Sequence, residues 1–537
     1  MDSLTLFTAK HVIFHLNGSA MATVMWVDDE IEWLEAHRLF LTRKGYVVRT
    51  FTNGHDAIAH LQDEPIDVVL LDESMPGMSG LETLSKIKRH QPLLPIVLVT
   101  KNETESLMEE AIGSQITDYL IKPVNPNQVL LSLKKILDNK RLVSEKTMAD
   151  YHQAFRTMLD DIEGQPGHRD WVAIHQQLTY WELEIGKADT GEMMGMLYAQ
   201  KKEANAAFFK YISRHYTGWI SAVDPDPPIM SHLLFREKVF PLMGKDEPVV
   251  CIVLDNLRYD HWKAIEPLLA EYFRIAEEDC FFSILPTATH YCRNAMMAGA
   301  MPAAIQQQYP DRWKADDEEG SKNAAESFFL QEQLRKLKPA DHQCSYLKIS
   351  THEEAQKFQE NATGLLQHDL TVVVYNFVDM ISHARSEMDI LKELAPDELS
   401  YRSLVKSWFM HAPLYQGLKK LADRKCTIVL TTDHGSIRVK DPIRVVADRS
   451  TTTNLRYKNG KNLDYDARDV FACKDPLAVG LPRQSISSSF IFAGAQDFFC
   501  YPNQFHHYAG LYKNSFQHGG ISMEEMIVPV IRLTGKQ

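Results

Sequence analysis

The sequence predicts a multidomain α/β protein in which two parallel-sheet domains flank a helical bundle. Three patterns carry that expectation. Between Thr23 and Asn139, short β-branched runs alternate with amphipathic stretches. Between Arg141 and Phe240, strand patterns give way to apolar residues at helical spacing. Beyond residue 241, three apolar runs each end in an acidic residue: Val249–Leu254 into Asp255, Thr371–Val378 into Asp379, and Thr427–Thr432 into Asp433. Such runs read as buried strands of a parallel sheet. Ligands of open α/β sheets bind at the carboxyl ends of strands, where these carboxylates fall.

A chain of 537 residues has room for three or four domains. Its 45% hydrophobic and 24% charged residues are those of a folded protein. The net charge of −13 argues against binding nucleic acid or anionic membrane through overall charge. No run approaches ~18 uninterrupted apolar residues, so no membrane-spanning helix is expected. Residues 1–20 lack a signal-peptide pattern and are expected to form a weakly ordered extension. The seven cysteines lie between Cys251 and Cys500 without a C-x-x-C pair. Free thiols in a reducing cytoplasm are the expectation.

In the first domain, residues 21–140, strands are predicted at Val24–Val27, Val47–Phe51, Val68–Leu71, Ile96–Thr100 and Tyr119–Ile121. Polar residues gather at their ends: Asp28 and Asp29, Asp72, Thr100, then Lys122 with Pro123. Adjacent carboxylates suit a hard ion such as Mg²⁺. A further carboxylate can attack a phosphoryl donor, and a lysine with a hydroxyl can bind the resulting oxygens. This set resembles the receiver domain of bacterial response regulators, a flavodoxin-like fold. The resemblance implies phosphorylation on Asp72 and Mg²⁺ held mainly by Asp29, assisted by Asp28 and the Ser74 carbonyl. It also implies phosphoryl binding by Thr100 and Lys122, and an aromatic switch at Tyr119.

The second segment, residues 141–240, is predicted to be a helical bundle linker. Met148, Tyr151, Phe155, Leu159 and Ile162 form one stripe, and Trp171, Ile174, Leu178, Trp181 and Ile185 a second. A third helix is predicted through Ala204, Phe208, Tyr211 and Ile212. Residues 163–167 and 224–228 carry turn signals. The aromatic stripes are read as core.

The third segment, residues 241–537, offers Asp255, Asp379, His383, Asp433, His434 and His518 as metal ligands. Mixed carboxylate and imidazole donors suit Zn²⁺ or Mn²⁺. Their number suffices for two ions, and two ions ~4 Å apart can clamp both oxygens of a phosphoryl transfer. A threonine of Pro286-Thr287-Ala288-Thr289, which follows another apolar run, supplies a candidate nucleophile. The series resembles the alkaline phosphatase superfamily, and most closely its PglZ branch, over Leu242 to Leu533. That resemblance implies an alkaline-phosphatase-like α/β domain with phosphodiesterase or phosphatase activity. One Zn²⁺ would be bound by Asp379, His383 and His518, and the other by Asp255, Asp433, His434 and the nucleophile. Thr289 is the preferred nucleophile and Thr287 the fallback; Arg293 and Asn294 are expected to contact substrate phosphate. Cys292-Arg293-Asn294 does not supply the nucleophile motif of sulfatases, which favours phosphoryl transfer. His411, His506 and His507 fit no required position.

Arg438, Lys440, Arg444, Arg449, Arg456, Lys458 and Lys461 form a basic segment directly after the Asp433-His434 pair. They are read either as a phosphate-binding loop for a nucleotide or short oligonucleotide, with Arg449 and Arg456 on the substrate, or as an exposed charged hairpin. The domain order resembles response regulators of bacteria with type IX secretion. It implies a two-component regulator in the cytoplasm, a sensor histidine kinase partner and dimerisation on phosphorylation. The alternative expectation is a non-catalytic module acting through a partner such as a sigma factor. No helix-turn-helix segment follows the receiver, so direct promoter binding is disfavoured.

Overall fold

The computed structural model describes residues 22–61, 64–91, 94–101, 116–188, 191–244, 247–338, 342–376, 397–448 and 451–536. The expected N-terminal extension, and the site candidates Asp379, His383 and Arg449, lie outside the described residues. The chain divides into two compact units, residues 1–150 and 151–537.

In the first unit the apolar runs become strands β1 (Thr23–Val27), β2 (Val47–Phe51), β3 (Val68–Asp72), β4 (Ile96–Thr100) and β5 (Asp118–Ile121). They form one parallel sheet in the order β2-β1-β3-β4-β5. Alternation along the strands sends side chains to opposite faces. Met25, Val27, Val69 and Leu71 pack with Ala57, Leu84 and Ile87 on one face. Val24, Trp26, Val68 and Leu70 pack with Leu41, Val129 and Leu133 on the other. Ser79 and Glu82 close a reciprocal capping box at the helix Gly80–His90, which follows the β3 loop.

In the second unit, the helices α1 (His168–Ala188) and α2 (Gly191–Ile220) follow the long helix Pro126–Glu163. Most residues of the stripes are buried or partly buried, with Met148 exposed, and the helices pack on one another, Tyr151 meeting Trp181 with ring centroids 5.4 Å apart, as well as on the sheet. Trp171, Phe208 and Trp219 join the same core as the strand residue Phe282, with ring centroids 5.3 Å apart for Trp171–Phe208 and 5.7 Å for Trp219–Phe282. Large apolar aromatic faces gain from covering one another and the sheet edge alike.

The main sheet of this unit has six strands: β6 (Val249–Leu254), β7 (Phe273–Phe282), β8 (Cys344–Ile349), β9 (Leu370–Tyr375), β10 (Thr427–Thr431) and β11 (Ile527–Gly535). Their order is β7-β11-β10-β6-β9-β8. Strands β10, β6, β9 and β8 run parallel, and β11 is antiparallel to both β10 and β7. The register pairs Thr431 with Val253 and Leu254 with Tyr375, so the segments after β10, β6 and β9 emerge side by side. All seven thiols are free. No helix among the described residues is long and apolar enough to cross a membrane.

Candidate phospho-acceptor site and metal centre

At the carboxyl edge of the first sheet, one ligand oxygen each of Asp28, Asp29 and Asp72 lies within 4.8 Å of the others. Asp28 and Asp72 are buried and Asp29 is exposed, which leaves one open side. Lys122 bridges the two buried acids, its Nζ 2.9 Å from Asp28 Oδ2 and 2.8 Å from Asp72 Oδ1. Burial pushes the Asp72 carboxyl above the usual range; the Lys122 hydrogen bond opposes this and the Asp28 and Asp29 charges add to it. Burial pulls Lys122 down, but its bonds to Asp72 and Asp28 outweigh that and raise it. Thr100 ends β4 beside this group, and its hydroxyl donates to the Glu73 carboxylate. Ser74 is exposed on the loop after β3, and Tyr119 is partly exposed on β5. Glu73 and the exposed Trp33 flank the site and carried no signal in the sequence.

The second cluster lies at the carboxyl ends of β6 and β10. Ligand atoms of Asp255, Asp433 and His434, all buried, lie within 4.8 Å of one another. Asp255 is followed by a sharp turn at Asn256, whose φ of 64° is left-handed, a conformation that asparagine tolerates better than most residues. That turn aims the Asn256 N–H at Asp433 Oδ1 (3.3 Å), which also accepts from the His434 N–H (3.1 Å) and the Thr432 hydroxyl (3.4 Å). His434 Nδ1 lies 3.1 Å from the Gly435 carbonyl. A carbonyl only accepts, so Nδ1 carries the proton and Nε2 presents a lone pair to the cluster. His518 is built alike: Nδ1 donates to the Thr287 carbonyl at 3.0 Å, and its ring stacks on His434 with centroids 4.3 Å apart. Buried carboxylates beside lone-pair imidazoles form a donor set that fits a divalent ion of the zinc type.

The two threonines separate clearly. Thr289 opens the helix α3 (Thr289–Ala298), and its Oγ1 lies 3.0 Å from His434 Nε2 and 3.4 Å from Asp255 Oδ1. Thr287 is fully buried; its hydroxyl donates to the Gly520 carbonyl and accepts from the Gly519 N–H, both at 2.9 Å. It clamps the His518 segment and does not face the carboxylates.

Three expected substrate contacts need correction. Arg293 is buried beneath the cluster, with Nη1 2.8 Å from Asp255 Oδ2 and 3.6 Å from Asp433 Oδ2, and Nε bound to Glu326. Asn294 is also buried, donating to the carbonyls of His290 and Lys322. Arg456 is buried against Glu525, 2.6 Å away, and also donates to the carbonyls of Gly494 and Asp497. The basic segment is therefore not one solvated hairpin. Arg444 and Lys461 are exposed, whereas Lys458 is buried, and burial lowers its amine to about 8. Removing one partner of a buried pair strands the other charge, so Arg456→Ala is expected to destabilise the protein by ~3–5 kcal/mol. Urea unfolding checks this; a loss under ~1 kcal/mol, typical of a surface pair, would return Arg456 to the exposed-loop reading.

Two acids went unnoticed in the sequence. Glu326 holds Arg293 and also accepts from the Tyr346 hydroxyl. Asp316 binds His290, whose Nδ1 is 3.3 Å away, and the Tyr291 hydroxyl at 2.6 Å, so it braces the first turn of α3. Burial raises its carboxyl, but hydrogen bonds from His290 and Tyr291 outweigh this and hold it below the usual range. Glu326 followed no apolar run, and Asp316 sat in an acidic stretch that reads as solvated loop. His411, His506 and His507 are exposed.

Comparison with known families bears on both sites. Residues 24–134 match the response regulator receiver domain, 141–220 the PorX response regulator linker domain, and 234–533 the BREX system PglZ alkaline phosphatase-like domain. Similar curated proteins include the phosphoglycerate transport system transcriptional regulatory protein PgtA of Salmonella typhimurium, 26% identical over 35% of this chain and 46% of its own length. The transcriptional regulatory protein ZraR of Klebsiella oxytoca is 32% identical over 26% of this chain and 33% of its own length. The chain thus spans less than half the length of these relatives. Among solved structures, the chemotaxis protein CheY4 of Vibrio cholerae is 31% identical, covering 22% of this chain and 99% of its own, with a TM-score of 0.21. The sheet order of the first unit and the receiver match make that unit a flavodoxin-like receiver. With more than half of its length matched to one family, the chain belongs to the PglZ alkaline phosphatase-like family, in the form of a PorX-like response regulator that carries its own receiver domain.

Proposed function

We propose that the protein is a two-component regulator whose PglZ domain is a metal-dependent phosphodiesterase, with nucleotides or short oligonucleotides as substrates. The carrying observation is the Thr289 hydroxyl, set 3.0 Å from the lone-pair nitrogen of His434 and 3.4 Å from Asp255. In this reading residues 21–140 receive the signal on Asp72, residues 141–240 link, residues 241–537 act, and residues 1–20 are an extension. The signal comes from a sensor histidine kinase in the cytoplasm, the phosphorylated chain dimerises, and the output serves type IX secretion.

Asp255, Asp433 and His434 would hold one Zn²⁺, or Mn²⁺ in its place, together with Thr289. His518 would hold a second, with Asp379 and His383; Asp28, Asp29 and the Ser74 carbonyl would hold Mg²⁺ in the receiver. Bound zinc would supply Lewis-acid polarisation of the phosphoryl group and ease deprotonation of the hydroxyl. The chain itself does the rest. Thr289 Oγ attacks phosphorus in line, one ester oxygen of the substrate leaves with a proton, and the phosphoryl group, its second substituent still attached, is held as an ester of the threonine. Water then cleaves that ester and restores the hydroxyl. Thr289 stands at the amino end of α3, whose dipole favours negative charge beside it. Arg293, locked by Glu326, keeps the two carboxylates oriented from below.

The test is metal analysis with turnover of bis-p-nitrophenyl phosphate and short oligoribonucleotides, with and without acetyl phosphate. Stoichiometric zinc and chelator-sensitive turnover are expected. Zinc without turnover of any phosphodiester would point instead to a binding module acting through a partner such as a sigma factor.

A further inference from the structure

The second unit buries a chain of charges that neither site uses. The Glu182 carboxylate on α1 accepts from Lys201 Nζ on α2 at 2.7 Å and from Arg402 Nη1 at 3.1 Å. Arg402 also donates to Asp260 at 3.0 Å, and Asp260 holds Arg258 through two bonds of 2.8 and 2.7 Å. At the other end, Lys201 Nζ lies 3.3 Å from Glu524 Oε1, while Asn205 donates to Glu524 Oε2 at 3.0 Å. Every one of these side chains is buried.

Both ends of the chain stop against the segments that carry the candidate metal ligands. Arg258 stands three residues after Asp255, and its guanidinium lies 5.4 Å from the ring of Phe516, two residues before His518. The Glu524 carbonyl and the Arg258 stem close on Gly435, beside His434. A β-carbon at Gly435 would come within 2.0 Å of that carbonyl oxygen. The Gly435 N–H donates to the Glu525 carbonyl at 3.1 Å.

Buried ion pairs are poor stabilisers, because desolvation offsets their attraction and apolar side chains of similar volume hold a core as well or better. What they add is direction: a planar guanidinium gripped by a carboxylate has one orientation. A directional network that ends at each ligand segment is suited to setting ligand spacing.

We propose that Glu182 and Lys201 are positioning residues of the metal centre. Through Arg402, Asp260 and Arg258 on one side and Glu524 on the other, the linker helices hold the Asp255, Asp433–Gly435 and His518 segments at ligand distance. The linker is then part of the site and not a tether. The inference rests on the metal-centre reading above.

The test uses the full chain and a Glu182→Gln/Lys201→Met variant, which removes one charge of each sign and leaves the Arg402–Asp260–Arg258 part paired. Zinc affinity is measured by chelator competition, alongside the thermal midpoint of the metal-free protein and phosphodiester turnover across zinc concentrations. The expected result is zinc binding weaker by about 10–100-fold, the range for loss of a group that orients a ligand, with turnover recovering at saturating zinc. Unchanged zinc affinity overturns the proposal. Should the double variant fail to fold, Lys201→Arg and Glu182→Asp keep the charges and alter only their reach. Each is expected to weaken zinc binding by roughly 3-fold or more on the same ground, and no change in either overturns the proposal. Asp433→Asn separates the two readings. If it leaves zinc affinity intact, the metal centre itself is misassigned; if it abolishes binding while the double variant does not weaken it, only the positioning role fails.

Discussion

Replacing Thr289 with valine is expected to lower phosphodiester turnover by on the order of 10³-fold or more, the scale on which enzymes lose rate with their nucleophile. The substitution keeps the volume and β-branching of the side chain and removes only the hydroxyl. That hydroxyl lies 3.0 Å from His434 Nε2 and 3.4 Å from Asp255 Oδ1. Asp255, Asp433 and His434, three of the four proposed ligands, stay in place, so zinc content should fall far less than turnover, and the thermal midpoint should change little. Thr287→Val is the informative comparison. Its hydroxyl serves the Gly520 carbonyl and the Gly519 N–H in a fully buried position, and stranding a buried donor and acceptor costs about 1–3 kcal/mol each. Thr287→Val should therefore lose stability and loosen the His518 segment, with activity falling as a consequence. Turnover per bound zinc and urea midpoints separate the two patterns, and brief exposure to labelled substrate should trap the phosphoryl group with its remaining ester on the native chain but not on Thr289→Val. Full turnover in Thr289→Val would remove it as nucleophile. If turnover were instead lost only in Thr287→Val at unchanged stability, the roles would be reversed.

How much of this arrangement was legible in the sequence follows from which interactions are local. A strand in a parallel sheet is apolar along its length, and the residue at its carboxyl end faces the ligand side. Hence the place of Asp72, Asp255 and Asp433 at the carboxyl edge of their sheets is legible from a run and its boundary alone. Thr287 and Thr289 follow the same apolar run, and what sets them apart in the fold is a contact of Thr287 to Gly520, 233 positions away. The arginines were misplaced for a related reason. A basic residue reads as solvated unless an acid is buried with it, and those acids are remote: Glu326 stands 33 positions from Arg293, and Glu525 stands 69 from Arg456. Most residues of the helical stripes are core, Met148 excepted, but a stripe does not say what it covers. That Phe208 and Trp219 lie against Phe282 of β7 as well as against neighbouring helices is a tertiary choice. Charges paired across distant elements also specify which segments meet, so the least legible residues are those that hold the ligand segments together.

In the receiver, Asp72→Asn is expected to abolish phosphoryl uptake from acetyl phosphate while leaving the fold as stable as the native one or more so. The first effect follows from chemistry: the amide oxygen of asparagine is a far weaker nucleophile than a carboxylate. The second follows from the sign of the titration. Burial raises the Asp72 carboxyl above its unfolded value, with Asp28 and Asp29 adding to the shift and Lys122 opposing it. The native state therefore holds more protons than the unfolded chain between the two values, and stability falls as pH rises through that window. Above that window the whole penalty is present, and asparagine removes it. Lys122 remains paired with Asp28 at 2.9 Å, so no buried cation is stranded. A phosphoryl acceptor that costs the resting fold stability is the expected trade at a functional site. Urea midpoints at pH 7 without Mg²⁺, with mass spectrometry after acetyl phosphate treatment, test both halves. Phosphorylation retained in Asp72→Asn would shift the acceptor to another carboxylate, with Asp28 and Asp29 the nearest. A midpoint well below the native one would show that Asp72 stabilises the resting receiver through Lys122, reversing the sign assigned to its burial.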